Sequence, residues 1–374
     1  MLKENKFSIG TDFSEKSKIS KRQKEILKAI ILEHLKTTQA VGSKILSDNY
    51  DFNVGPATIR NEMAVLTENS FIEQLHTSAG RIPTEKGYKF YINDILDFEK
   101  NIPEQKIKMM QALLSHNFQS IDLMFTSILK FLANVSGQLS IIAEPDFSSG
   151  ILKKLNIFKI EGDKLLLVIS LDVGLEKTII VPNSHNISSA QISAMVRYFN
   201  NRFSGLQIYQ IQNQFNKEFE SSCSKQQTIL FEIFSEIKNV INKLSPYIIR
   251  FDGNLGFLSQ PEFNSKEKIL QLLRIINNQS DFIKIFKKYE QNDYTILMGE
   301  EIKSHDYSEL VLIFGKYQVM DLSGFIGILG TRRMNYRENI PMICFASRMI
   351  TEMTTKGTVM PFIKKEHQYA GKEN

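Results

Sequence analysis

The chain has only two cysteines, Cys223 and Cys344, and neither stands in a Cys-x-x-Cys pair. Their number and separation imply no disulfide framework and fit a reducing cytoplasm. No apolar run approaches the roughly 20 residues that span a bilayer. Residues 1–19 (MLKENKFSIGTDFSEKSKI) lack the apolar segment of a secretory signal and read as a loosely ordered tail. The six histidines are scattered, without an H-E-x-x-H pair or Cys/His ligand spacing, so no metal site is expected. There is no G-x-S-x-G elbow. Gly324, Gly327 and Gly330 fit neither phosphate-loop spacing and lie in a probable-strand pattern, where packing or tight turns account for them. With no cofactor motif and no paired carboxylates either, the sequence points away from an enzyme.

Positive charge, by contrast, is concentrated. The net charge of +5 over 374 residues is mild, but between Lys16 and Lys44 eight basic residues face only two acids, Glu25 and Glu33. Such a cluster is a footprint for phosphates, or simply a solvated face. A hydrophobic share of 42% and a charged share of 23% are those of a globular chain, long enough here for two or three domains.

The basic cluster opens a run of three predicted helices. Ser20 and Gln23 have capping-box spacing, followed by Leu27, Ile30, Ile31 and Leu35 on one face. A short second helix from Gly42 or Ser43 is expected to bury Ile45 and Leu46. The third begins with Gly55 as cap and Pro56 at the first helical position. Ile59, Met63 and Leu66 form its inner face. At 100° per residue, Ala57 and Asn61 then lie opposite, with Thr58 and Arg60 on the flanks. Small residues allow close approach to base edges, Asn pairs with adenine, and Arg pairs with guanine or a phosphate.

Phe71, Ile72 and Leu75 suggest a strand, HTSAG a loop in which Gly80 supplies backbone freedom, and RIPT a returning strand stopped by Pro83. Thr84 caps a further helix, with Tyr88, Tyr91, Ile92 and Ile95 inward. This is the order of a winged helix-turn-helix. The expected DNA-binding set is Ser43 and Lys44 on the second helix, Ala57, Thr58, Arg60 and Asn61 on the third, and His76, Thr77, Ser78 and Arg81 around the loop. A three-helix module with a hairpin also serves protein–protein contact, and that alternative stays open on pattern alone.

The blocks VGSKILSDNYD (41–51), PATIRNEMAVL (56–66) and HTSAGRIPTEKGYKFYIN (76–93) resemble, in order, the N-terminal signature of the heat-inducible transcription repressor HrcA family. QPEF (260–263), MGEE (298–301) and GFIGILGTRRMNY (324–336) are similar to its C-terminal blocks. Three positions depart: Gly55 where the family usually has Ser, Leu75 where it has Pro, and GTRRM (330–334) where it often reads GPTRM. The resemblance implies a winged-helix domain, a GAF-like α+β domain, and an inserted, mainly helical dimerisation domain. It also implies a homodimer that represses chaperone operons through an inverted-repeat operator in double-stranded DNA, assisted by the GroE chaperonin.

On that basis the expected layout is an α+β multidomain chain. Residues 1–19 are a tail, 20–98 the winged helix-turn-helix, 99–187 and 264–358 the GAF-like domain, 188–263 the insertion, and 359–374 a second tail. The apolar positions from Ile107 to Val135 recur in steps of three and four, as in a core helix or a helix pairing across a dimer. KKLNIFKI, KLLLVISL and EKTIIVP form an antiparallel meander. Leu230, Ile233, Phe234, Ile237, Val240, Ile241 and Leu244 make a broad apolar face suited to pairing or to burial. Two other functional classes fit the same chain: a regulator whose GAF-like part senses a small ligand, and a chaperone-binding scaffold without an operator.

Overall fold

Ser20 starts the first helix, α1 (Lys21–Thr37), with a reciprocal cap. Its hydroxyl accepts from the Gln23 amide at 3.2 Å, and the Gln23 side chain accepts from the Ser20 amide at 2.8 Å. In the computed structural model, residues 7–9, 19–74, 80–96, 102–117, 121–161, 163–183, 187–211, 213–214, 248–253, 255–302 and 309–355 are described. Helix α1 buries Ile26, Leu27, Ile30 and Ile31. After it come α2 (Ser43–Asn49) and α3 (Pro56–Glu68), then a hairpin of β2 (Ile72–Glu73) and β3 (Ile82–Pro83).

One local expectation changes here. On α2 Leu46 is buried but Ile45 is 45% exposed, because adjacent helical residues point about 100° apart. Pro83 is the last residue of β3, where the strand ends as expected, and it pairs with Ile72 on a two-residue hairpin where a missing donor is tolerated. Thr84 then caps α4 (Glu85–Phe90), accepting from the Gly87 amide at 3.1 Å. The helix continues as a π turn over Tyr91–Ile95 that buries Tyr91 and Ile92.

The stripe from Ile107 to Val135 is divided between two helices, α5 (Glu104–Asn117) and α6 (Ile121–Ser136). Helix α6 is a core helix, burying Met124, Phe125, Ile128, Leu129 and Leu132. Behind it stands a six-stranded sheet of order β1-β9-β10-β11-β4-β8. Its strands are β1 (Phe7–Ile9), β4 (Leu139–Ala143), β8 (Ile249–Asp252), β9 (Tyr294–Met298), β10 (Leu310–Val319) and β11 (Leu322–Thr331). Phe7–Ile9, within the stretch read as a tail, pairs in parallel with Tyr294–Ile296.

Strands β9, β10 and β11 are apolar on both faces and almost wholly buried, as in a sheet covered on both sides. Part of the cover is aromatic: Phe286 lies 5.0 Å from Phe314 and 4.9 Å from Phe325, ring centre to ring centre. Gly324, Gly327 and Gly330 lie within β11. A Cβ on Gly330 would stand 2.2 Å from the Gln138 side-chain oxygen, so that glycine is needed for close packing.

The chain divides into two units. The first holds the N-terminal module and most of the six-stranded sheet; the second spans Ala143–Ile248 with short pieces from Tyr317–Gly324 and the last residues. In the second unit the meander forms its own antiparallel sheet, order β5 (Leu152–Ile160), β6 (Lys164–Leu171), β7 (Glu176–Pro182). The sequence reading assigned these strands to the GAF-like domain and began the insertion at 188. The meander instead shares a core with α7 (Ser189–Phe203), through Leu155, Leu167, Ile169, Met195, Phe199 and Phe203.

Asn200 of α7 completes the edge of β5. Its side-chain amide donates to the Leu155 carbonyl and its oxygen accepts from the Leu155 amide, both at 2.8 Å. On the other face of this sheet, Phe158, Leu166 and Ile180 stand in register across the three strands. Phe158 is 51% and Ile180 58% exposed. The apolar face from Leu230 to Leu244, Cys223, and the expected tail at 359–374 lie outside the described residues.

Candidate nucleic-acid interface

Helix α3 is capped by Gly55 with Pro56 in its first turn, so its start uses no side-chain hydrogen bond. Ile59, Met63 and Leu66 are buried, while Ala57, Arg60 and Asn61 are exposed and Thr58 is half-buried. Apolar anchoring on one side therefore leaves a ridge of one small residue, one guanidinium and one carboxamide on the other. Ala64 and Val65 extend that exposed surface by one turn, and neither was singled out from the sequence.

What fixes the ridge is the residue after Asn61. The Glu62 carboxylate accepts from the Gln23 side-chain amide at 2.8 Å and lies 3.7 Å from the Arg22 guanidinium. The start of α1 thus holds the middle of α3 against rotation about its own axis. Sequence reasoning took Gln23 only as a capping residue. The signal that could have revealed the brace is an acid on the flank of the helix, opposite the basic cluster.

The basic cluster is partly consumed by the fold. Lys36 pairs with Glu33 at 3.0 Å, Arg22 with Glu62, and Lys24 lies over the Phe90 ring at 5.3 Å. Lys21, Lys28 and Lys44 remain exposed. Ser43, placed in the DNA-binding set from sequence, is buried at the start of α2. Arg81 is half-buried: its Nε donates to the Thr67 hydroxyl at 3.2 Å, and its backbone forms a bridge with Val41. It ties the base of the hairpin to the last turn of α3 and is not a freely projecting cation. His76, Thr77 and Ser78 lie outside the described residues.

Two buried polar groups stabilise the module. Glu33 on α1 accepts from the Tyr50 hydroxyl at 2.8 Å, and this bond, aided by Lys36, holds its carboxyl below the usual range despite burial. His34 is half-buried, and burial pushes its pKa down even though its Nδ1 hydrogen-bonds the Gln39 carbonyl at 3.0 Å.

A family model for the C-terminal domain of HrcA matches residues 122–340, more than half of the chain. The chain belongs to the HrcA family. Two relatives called heat-inducible transcription repressor HrcA extend the likeness through the N-terminal module. That of Natranaerobius thermophilus is 29% identical over 88% of this chain and 95% of its own length. That of Chlorobium chlorochromatii is 28% identical over 87% and 94%. A crystal structure of a hypothetical protein shares the fold of this HrcA-family chain, with a TM-score of 0.60 at 20% identity over 91% of this chain and 100% of the other. Among the described residues no helix is long and apolar enough to cross a membrane.

Proposed function

We propose that the chain is a transcriptional repressor of heat-induced genes that binds an inverted repeat in double-stranded DNA as a homodimer. One observation carries the reading. Helix α3 buries Ile59, Met63 and Leu66 and turns Ala57, Arg60 and Asn61 outward, next to a hairpin. A helix that enters the major groove needs that division, with small residues for approach and paired donors for base edges. Thr58 stands at its flank, and Lys21 and Lys44 supply phosphate-directed charge. In this reading the module is a winged helix, the six-stranded sheet a GAF-like domain, and His76, Thr77, Ser78 and Arg81 belong to the wing.

Two further parts of the reading rest on less. Self-pairing is supported by the row of exposed Phe158, half-buried Leu166 and exposed Ile180, an apolar sheet face of the kind that a second copy covers. The relatives named as heat-inducible repressors supply the target genes, and the family resemblance supplies assistance by the GroE chaperonin. The role is binding, with no catalytic step.

The test is a selection of duplexes from a random library by the full chain, with and without GroE, followed by footprinting. An inverted repeat recovered by the wild type, and lost with Asn61→Ala, is the expected result. Enrichment that ignores sequence, or that Asn61→Ala leaves intact, would overturn the base-reading role.

A further inference from the structure

Four separate sequence blocks meet at one place in the first unit. Helix α4 packs on the N-terminal module so tightly that a Cβ on Gly87 would stand 2.1 Å from the Phe71 carbonyl oxygen. Its other side carries charge. The Lys89 ammonium is buried between Glu85 at 2.9 Å and Glu301 at 3.2 Å, and Glu85 also accepts from Arg332 at 3.0 Å. Glu301 follows β9, and Arg332 follows β11. The result is an alternating chain, Glu301–Lys89–Glu85–Arg332, linking α4 to the ends of β9 and β11.

Neighbouring groups hold this chain in place. The Arg332 carbonyl accepts from the Tyr336 hydroxyl at 2.8 Å, and Tyr336 packs 6.0 Å from Tyr88 of α4. Arg333 forms a two-pronged bond to Glu262 at 2.5 and 2.8 Å. The Glu301 carboxylate also accepts from the Met298 amide at 3.0 Å, which fixes it to the end of β9.

Buried ion pairs contribute little net adhesion, because desolvation offsets their attraction. Breaking one of them is nevertheless costly, because an uncompensated charge stays behind. Such a chain specifies one arrangement of two domains and resists small departures from it. Contacts between domains of one chain otherwise permit relative motion by default.

We propose that the Glu301–Lys89–Glu85–Arg332 chain is a clamp that fixes the DNA-reading module on the six-stranded sheet, and so sets the spacing at which a pair of chains presents its two α3 helices. This rests on the DNA-binding dimer reading above. Arg332, Lys89 and Glu301 are positioning residues in it, since none lies on α3. With the clamp intact, the second half-site is met by a module already in place. With it broken, that module searches on a tether and the gain from joint binding falls.

The experiment compares the full chain with Arg332→Gln, Arg332→Lys and Glu301→Gln on two duplexes, the selected inverted repeat and one half of it. Amide hydrogen exchange of α4 is measured in parallel. Arg332→Gln and Glu301→Gln should lose about tenfold or more on the full repeat and less than about twofold on the half-site. Arg332→Lys, which keeps the charge, should retain most of the affinity. Exchange in α4 should rise while thermal unfolding of the sheets stays put. Equal losses on both duplexes, unchanged affinity for the full repeat, or tighter binding would each overturn the clamp. If the wild type selects no duplex, the DNA-binding reading fails. The clamp is then decided by exchange, and α4 protection indifferent to both Gln variants refutes it.

Discussion

Gly80 lies directly under the backbone of Val41, where a Cβ on the glycine would stand 2.5 Å from the Val41 carbonyl carbon. This contact lets Arg81 exchange two hydrogen bonds with Val41, at 2.8 and 2.9 Å, and closes the hairpin base onto the α1–α2 connection. The demand at this glycine is for space rather than the left-handed backbone freedom expected of a loop, since its φ is not positive. Gly80→Ala should destabilise the module by about 1–3 kcal/mol through overpacking. Denaturant unfolding measures the loss, and faster amide exchange at Val41 and Arg81 would locate it.

Asn61→Ala should cost roughly 1–3 kcal/mol on a selected duplex and little on random DNA, because a base-edge pair is lost without a phosphate contact. Parallel titrations on the two DNAs measure the difference. Equal weakening on both would remove Asn61 from base reading.

Lys21→Ala should weaken every duplex alike and lower the salt slope by about one, the mark of a lost phosphate contact. Arg81→Ala should behave differently, because its Nε already serves Thr67. It should lower the stability of the hairpin as well as the affinity. Salt titrations beside thermal melts separate the two.

His34 gives a pH dependence with a definite sign. Burial lowers its pKa in the folded chain below the ordinary 6.5, so the unfolded chain takes up the proton first as pH falls. Its contribution is intact above about 6.5 and declines as pH drops toward the depressed folded value. His34→Gln should flatten that part of a plot of melting temperature against pH. An unchanged slope would place the titration elsewhere.

Tyr50→Phe removes the main bond that keeps the Glu33 carboxyl acidic. It should cost about 1 kcal/mol near neutrality. The Glu33 pKa should rise toward its ordinary 4.5, measured by carboxyl NMR titration. Stability that Glu33 supplies above 4.5, and loses as pH falls below it, should shrink accordingly.

Much of the N-terminal module was legible because helix starts and apolar spacing are local signals. Ser20 with Gln23, Gly55 with Pro56, Thr84, and the inner face Ile59, Met63 and Leu66 all follow from residues within a few positions of one another. The burial of Ser43 was not legible, because it depends on what packs over the start of α2, which no local pattern records. Glu33 reads only as one of two acids in a basic run, and Tyr50, 17 residues later, explains its burial. The meander was recognised as strands, but alternation within a strand does not say which sheet it joins. Its core partner α7 sets that. Glu301 of MGEE and Arg332 of GTRRM carried no visible role, since their partners Lys89 and Glu85 lie on α4, more than 200 residues earlier, and Glu262 of QPEF pairs with Arg333, 71 residues away.

If a second copy covers the apolar row of Phe158, Leu166 and Ile180, as proposed, abundance becomes a physical variable. A surface shielded only in company obeys mass action, so dilution uncovers it and crowding of like chains hides it. In the proposed dimer, the size of the pool would then set how much of the row stays covered, without altering a single bond within the fold.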